Sequence, residues 1–218
     1  MCIRDRYDPG SDQNLYPEIT SKSVAWSPDG NFLAGIGAGG KVQVWDVATG
    51  DNIAGNISAH GKALALAWSP NSDGDQARLA FVGIDDHVFI FDLATRKLNR
   101  SIKQPGWKTG VDWSPDGNKL AISNRRFVNI WDAKTQKRIG QCQGPSAMVR
   151  DLSWSSSQDR IAALTEDGNV CVWNASSLAF CAKFNLHKRV PYSILWSPDG
   201  KRLVSVARHG RIVFQDID

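Results

Sequence analysis

Val24-Ala25-Trp26-Ser27-Pro28-Asp29-Gly30 is the stretch around which the chain is organised, because versions of it return four more times. The copies are Leu66-Ala67-Trp68-Ser69-Pro70, Val111-Asp112-Trp113-Ser114-Pro115-Asp116-Gly117, Leu152-Ser153-Trp154-Ser155-Ser156 and Ile194-Leu195-Trp196-Ser197-Pro198-Asp199-Gly200. Their tryptophans stand 42, 45, 41 and 42 residues apart. A fixed period in that range marks a repeat architecture whose units cannot bury their apolar faces alone. In each copy a short β-branched and aromatic strand runs into a turn where Pro presets φ, Asp bonds local backbone and Gly takes the left-handed position. The fourth copy reads Ser155-Ser156-Ser157-Gln158 at the turn. A non-glycine residue is therefore expected at positive φ there, at a cost of about 1 kcal/mol, in the least regular of the five turns.

A second apolar run starts seven residues beyond the Trp in four copies, at Leu33, Leu120, Ile161 and Leu203. In the second copy it starts at Leu79, eleven beyond Trp68, so a four-residue insertion falls in the loop 71–76. A third run follows everywhere: Val42-Gln43-Val44-Trp45-Asp46, Val88-Phe89-Ile90-Phe91-Asp92, Val128-Asn129-Ile130-Trp131-Asp132, Val170-Cys171-Val172-Trp173-Asn174 and Ile212-Val213-Phe214-Gln215. These are strands packed on both faces. Weaker, more polar runs near 52–58, 97–103, 137–143 and 179–185 fit outer edge strands. Four strands every ~42 residues without helical periodicity read as β-propeller blades, at about 21–58, 63–103, 109–143, 149–185 and 191–218.

This pattern resembles the WD-repeat family, through Trp45-Asp46, Trp131-Asp132, the relaxed forms Phe91-Asp92 and Trp173-Asn174, and the Ser-Pro-Asp-Gly turns, over about residues 16–218. The resemblance implies an all-β propeller of four-stranded antiparallel blades, with the first strand of each blade lining a central channel and the fourth outside. Family members often tie a blade with a His, an Asp, a Ser or Thr and the third-strand Trp. No blade here holds the whole set: His60 and Asp85 could serve the second, Asp167 and Trp173 the fourth, His187 the fifth. The blades are thus expected to rely on packing more than on polar networks. Such propellers usually have seven blades, whereas five repeats are present, so an open or incomplete ring is expected from a chain truncated at both ends, with a true five-bladed ring as the alternative. Residues 1–15 fit no repeat and read as a tail, at least partly foreign to the fold.

The net charge is +4 with both signs interspersed, which by itself implies neither a nucleic-acid nor a membrane partner. No apolar run approaches ~20 residues, and residues 1–6 lack the apolar stretch of a signal peptide. The four cysteines show no metal spacing and suit a reducing compartment, so a cytoplasmic location is expected, with Cys171 and Cys181 close together as thiols on paired strands. Eight of the nine tryptophans fall on repeat positions and read as core.

Gly35-Ile36-Gly37-Ala38-Gly39-Gly40 matches GxGxxG, but a strand rather than a helix follows, so it reads as a glycine-rich hairpin. No catalytic constellation, metal-ligand set or cofactor motif is present in the sequence, and none is expected. Trp107 lies outside the repeat aromatics, beside Lys108, where the blade pattern calls for an apolar residue. It reads as supplying that packing one position early, or else as an anchor for a partner.

The expected function is a non-catalytic interaction scaffold presenting loops to a protein or peptide; the alternative is a propeller from a larger enzyme or receptor, of the TolB, peptidase-capping or kinase-linked kind. In an antiparallel meander successive turns alternate between rims, so inter-blade connections share one rim with the second hairpins. That rim carries Lys41, Lys62, Lys103, Lys108, Arg125, Arg126, Lys188, Arg189, Arg208 and Arg211 against Asp85, Asp86, Glu166 and Asp167, a balance of 10 − 4 = +6. The opposite rim balances to zero. The expected partner is accordingly acidic or phosphorylated, and the expected contacts are Arg125, Arg126, Arg208, Arg211, Lys188, Arg189 and Trp107.

Overall fold

The computed structural model describes residues 24–55, 57, 62–70, 77–188 and 190–217. The tail, His60, Arg189, Cys2 and the 71–76 insertion lie outside them. Five antiparallel sheets follow one another along the chain. Blade one holds β1 (Val24–Trp26), β2 (Phe32–Ile36) and β3 (Val42–Asp46). Blade two holds β4 (Ala63–Trp68), β5 (Arg78–Gly83), β6 (His87–Asp92) and β7 (Lys97–Lys103). Blade three holds β8 (Val111–Trp113), β9 (Lys119–Asn124), β10 (Phe127–Asp132) and β11 (Arg138–Cys142). Blade four holds β12 (Val149–Trp154), β13 (Arg160–Thr165), β14 (Asn169–Asn174) and β15 (Phe180–Asn185), and blade five β16 (Pro191–Trp196), β17 (Arg202–Ala207) and β18 (Arg211–Asp216). In blade one the expected fourth strand is reduced to two isolated bridges, Val42 to Ile57 and Trp45 to Asn52.

The register is the same in every blade. Trp26, Trp68, Trp113, Trp154 and Trp196 pair with Leu33, Leu79, Leu120, Ile161 and Leu203. Those residues pair in turn with Trp45, Phe91, Trp131, Trp173 and Gln215. An aromatic–aliphatic–aromatic row therefore crosses four blades, and the aliphatic residue seven or eleven beyond each Trp is its cross-strand neighbour.

The Ser-Pro-Asp-Gly turns close alike. Ser114 Oγ donates to Asp116 Oδ1 at 2.5 Å and accepts from the Lys119 amide at 2.8 Å, while Gly117 takes φ 67°. The Ser114 hydroxyl holds the Asp116 carboxyl below the ordinary carboxylate range. Ser27/Asp29 and Ser197/Asp199 repeat the geometry. Blade four departs, though not as expected: no residue of 155–158 takes a positive φ. Ser155 Oγ accepts the Gln158 amide at 3.1 Å, replacing the backbone carbonyl that caps Gly30, Gly117 and Gly200, so the turn closes without the left-handed residue.

The packed core lies between blades. Four buried clusters each straddle two consecutive blades, from one–two through four–five. Tryptophan indoles cross the same seams: Trp68 Nε1 donates to the Ala25 carbonyl, Trp113 Nε1 to that of Ala67 and Trp196 Nε1 to that of Ser153, over 3.0–3.1 Å. Two first-strand carboxylates do likewise. Asp112 accepts the Trp154 amide at 2.9 Å, and fully buried Asp151 accepts the Ile194 amide at 3.0 Å and the Ser193 hydroxyl at 2.8 Å. The first strands of all five blades line one central depression, through Ala25, Ala67, Asp112, Ser153 and Ser193 among others.

Of the five repeat tryptophans, Trp68, Trp113 and Trp154 are buried, Trp196 is half-buried and Trp26 is 59% exposed. Blade one has no described blade before it to cover that ring, and blade five leaves Phe214 and Ile212 exposed on the complementary side.

The cysteine expectation holds for the thiols and fails for their pairing. Cys142, Cys171 and Cys181 are free, but Cys171 pairs with Lys183, and a bulge at Val172/Trp173 takes Cys181 out of register. Cys171 is buried and Cys181 exposed.

Polar networks are stronger than expected, because Gln104 does in blade three what a His was looked for to do. Its buried amide donates to the Ser123 carbonyl at 3.1 Å and accepts from Asn129 Nδ2 at 3.1 Å and Trp131 Nε1 at 2.7 Å. In blade five, buried His187 Nε2 lies 2.8 Å from Ser205 Oγ.

Candidate interaction face

The second hairpins and the inter-blade connections are bonded to each other, which puts them on one rim. The Gln104 amide donates to the Asp86 carbonyl at 2.9 Å, the Val149 amide to that of Arg125 at 2.7 Å, the Glu166 amide to that of Met148 at 2.8 Å and the Leu186 amide to that of Gly168 at 3.0 Å. Gly168 is obligatory in this seam: it takes φ 81°, and a Cβ there would lie 1.8 Å from the His187 carbonyl oxygen.

On this rim Trp107, Arg125, Arg126, Ala147, Met148 and Glu166 surround one depression. Arg125 and Arg126 are the two tip residues of the β9–β10 hairpin, and Arg125 takes φ 54°. A positive φ at a non-glycine tip matches the right-handed twist of the flanking strands, so both side chains leave the hairpin at its exposed end. Trp107 is 47% exposed, so it does not supply the packing missing at position 108.

That role belongs to Lys108 itself, which is fully buried. Its Nζ donates to the carbonyls of Asp85, of Gln104 at 2.9 Å and of Gly106 at 2.6 Å, clamping the loop that carries Trp107 onto the blade-two hairpin. Burial pushes the ammonium down to about 8, with Asp86 and Asp85 opposing. Lys108 therefore leaves the set of rim charges open to a partner.

Arg150, which the sequence reading passed over, joins the rim. It is the extra residue where the β12–β13 register shifts between Val149 and Asp151, and its Nη2 lies 2.5 Å from Glu166 Oε1. A strand position carries no sign that a bulge will turn it toward the rim hairpin that holds Glu166. The neighbouring Asp167 is committed locally, accepting from Thr165 Oγ1 at 2.5 Å and Ser146 Oγ at 3.2 Å.

The remaining contacts proposed from sequence form a second group on blade five, where Lys188, Arg208 and Arg211 are exposed. They do not line the Trp107 depression. Among the described residues no three His, Cys, Asp or Glu side chains converge as a metal site, and no helix is long and apolar enough to cross a membrane.

The family profile described as "WD domain, G-beta repeat" matches residues 19–46 and 136–174. The chain is 26% identical over 193 residues to WD repeat-containing protein slp1 of Schizosaccharomyces pombe, covering 86% of this chain and 38% of that protein. It is 28% identical over 193 residues to the anaphase-promoting complex subunit cdc20 of Dictyostelium discoideum, covering 84% and 37% respectively. To the B-type cell cycle switch protein ccs52A of Medicago truncatula it is 29% identical over 196 residues, covering 86% and 39%. The chain thus spans less than two fifths of the length of each of these relatives. With five blades in one register, their tryptophans a repeat apart, and a WD-repeat profile and WD-repeat proteins as its matches, the chain is a β-propeller similar to those of the WD-repeat family.

Proposed function

We propose that this propeller is a non-catalytic protein-interaction module whose basic rim docks an acidic segment of a partner, within a cell-cycle assembly of the kind that its relatives' names describe. The observation that carries the reading is the one-sided rim: Arg125 and Arg126 meet an exposed Trp at one depression, and Lys188, Arg208 and Arg211 extend the same sign to blade five. An aromatic anchor flanked by arginines suits a peptide that supplies both an apolar side chain and negative charge. We place the protein in a reducing, intracellular compartment. Support comes from the three thiols that are free among the described residues, two of them pushed up by burial, Cys142 to about 12 and Cys171 to about 11.

The test is capture of a fluorescein-labelled peptide carrying a Glu run next to a Leu, followed over a salt series. The Arg125→Glu/Arg126→Glu double variant should lose most of the capture and flatten its salt dependence, with thermal stability nearly unchanged. Lys134→Glu/Lys137→Glu, on the opposite rim, should leave capture intact. Equal loss in both double variants would refute the reading.

A further inference from the structure

We infer that the depression between blades three and four reads one phosphorylated side chain of a partner, and that Glu166 sets its affinity by occupying Arg150. The inference rests on the basic-rim reading above and narrows it to one subsite and one chemistry.

Two guanidinium groups from adjacent residues, Arg125 and Arg126, reach the same depression. Each presents a planar fork of donors, and one carboxylate, with two oxygens, satisfies a single fork. A phosphate monoester has three terminal oxygens and close to two negative charges at neutral pH, so it can accept from both forks at once. The depression has apolar walls as well, from Trp107, Ala147 and Met148, which suit the residue beside the phosphorylated one rather than a bare ion. The Lys108 clamp on the carbonyls of Gln104 and Gly106 holds the Trp107 loop in place before any ligand arrives.

Among the described residues Glu166 is the one acidic side chain lining the depression, and its carboxylate lies 2.5 Å from the mostly buried guanidinium of Arg150. Arg150 stands behind the lining of the depression, so a phosphate reaches its guanidinium only by displacing that carboxylate. Glu166 therefore acts as a built-in competitor: it neutralises Arg150 and places a negative charge where the ligand's charge must go. Asp167, next to it, is held by Thr165 and Ser146 and is turned to its own hairpin.

The experiment uses the full chain and two immobilised nonapeptide libraries with a central threonine, one phosphorylated and one not, read by bound fraction and then by anisotropy on the best members. The wild-type protein should retain phosphorylated members at least ten-fold better than their unphosphorylated counterparts, with an apolar residue enriched next to the phosphothreonine. Arg125→Glu/Arg126→Glu should erase that ratio. Trp107→Ala should weaken phosphorylated and unphosphorylated members alike. Glu166→Gln should tighten phosphopeptide binding several-fold and leave the unphosphorylated series unchanged, and adding Arg150→Gln should cancel the gain. Equal retention of the two libraries, no retained phosphorylated member, or no gain from Glu166→Gln would overturn the inference. Continued capture of the Glu-run peptide in any of those cases would leave the broader basic-rim reading standing.

Discussion

The indole Nε1 of Trp113 lies 3.0 Å from the carbonyl oxygen of Ala67, one repeat earlier, with its ring 4% exposed and the Arg78 guanidinium 4.9 Å from the ring centroid. The same donor–acceptor step joins blades two to one and five to four. A residue chosen as the mark of the repeat is thus also the fastener between repeats.

Trp113→Ala removes that fastener together with a large buried ring, and should destabilise the protein by about 3–5 kcal/mol. Trp26→Ala, at the exposed equivalent, should cost about 0.5 kcal/mol or less. Urea unfolding monitored by far-UV circular dichroism separates the two, and comparable losses would show that the exposed ring is covered in solution.

Asp151 is a fully buried carboxylate that takes donors from blade four, the Leu152 amide at 2.8 Å, and from blade five, the Ser193 hydroxyl and the Ile194 amide. Asp151→Asn turns one acceptor oxygen into a donor group facing donors. A loss of about 2–3 kcal/mol is expected, with blade five loosening first. Hydrogen exchange of the β16 amides reports it.

His187 is buried against Ser205, and burial, with Arg211 nearby, holds its imidazole below the usual 6.5. The folded state therefore favours the neutral ring. Its contribution to stability is whole above pH 6.5 and is lost as pH falls from there through the lowered folded value. Unfolding midpoints between pH 7.5 and 5 should drop in the wild type, and should drop less in His187→Gln.

Lys108 gives the opposite end of the pH range. With a folded pKa of about 8 against an ordinary 10.5, the unfolded chain holds more protons between those values, so stability should rise with pH across that window. Lys108→Met should remove this slope. It should also release the Trp107 loop, raising quenching of Trp107 fluorescence by iodide.

What the sequence made legible is what local pattern determines. The blade count and the geometry of the Ser-Pro-Asp-Gly turns follow from period and turn chemistry, and the structure shows both, whereas the Ser155–Gln158 turn closes without the positive φ expected of it. What escaped it depends on contacts between distant segments. Lys108 looked like a surface charge because its three acceptors are backbone carbonyls, which carry no residue signature. Gln104 was passed over because a carboxamide can replace a His as donor and acceptor, and no short motif marks the exchange. Arg150 needed the bulge before its direction could be read. Of the proposed contacts, Trp107, Arg125 and Arg126 come together, whereas Lys188, Arg208 and Arg211 stand apart on another blade, since distance around the ring is set by blade number and not by charge.

Hydroxyl-radical footprinting of the chain with and without the bound acidic peptide tests the docking rim most directly, because Trp107 and Met148 are both readily oxidised and both line the depression. The account predicts that the peptide protects Trp107 and Met148 while Pro28 and Pro198, on the turns of the opposite rim, react as before. Protection of those turns with Trp107 and Met148 unchanged would contradict it.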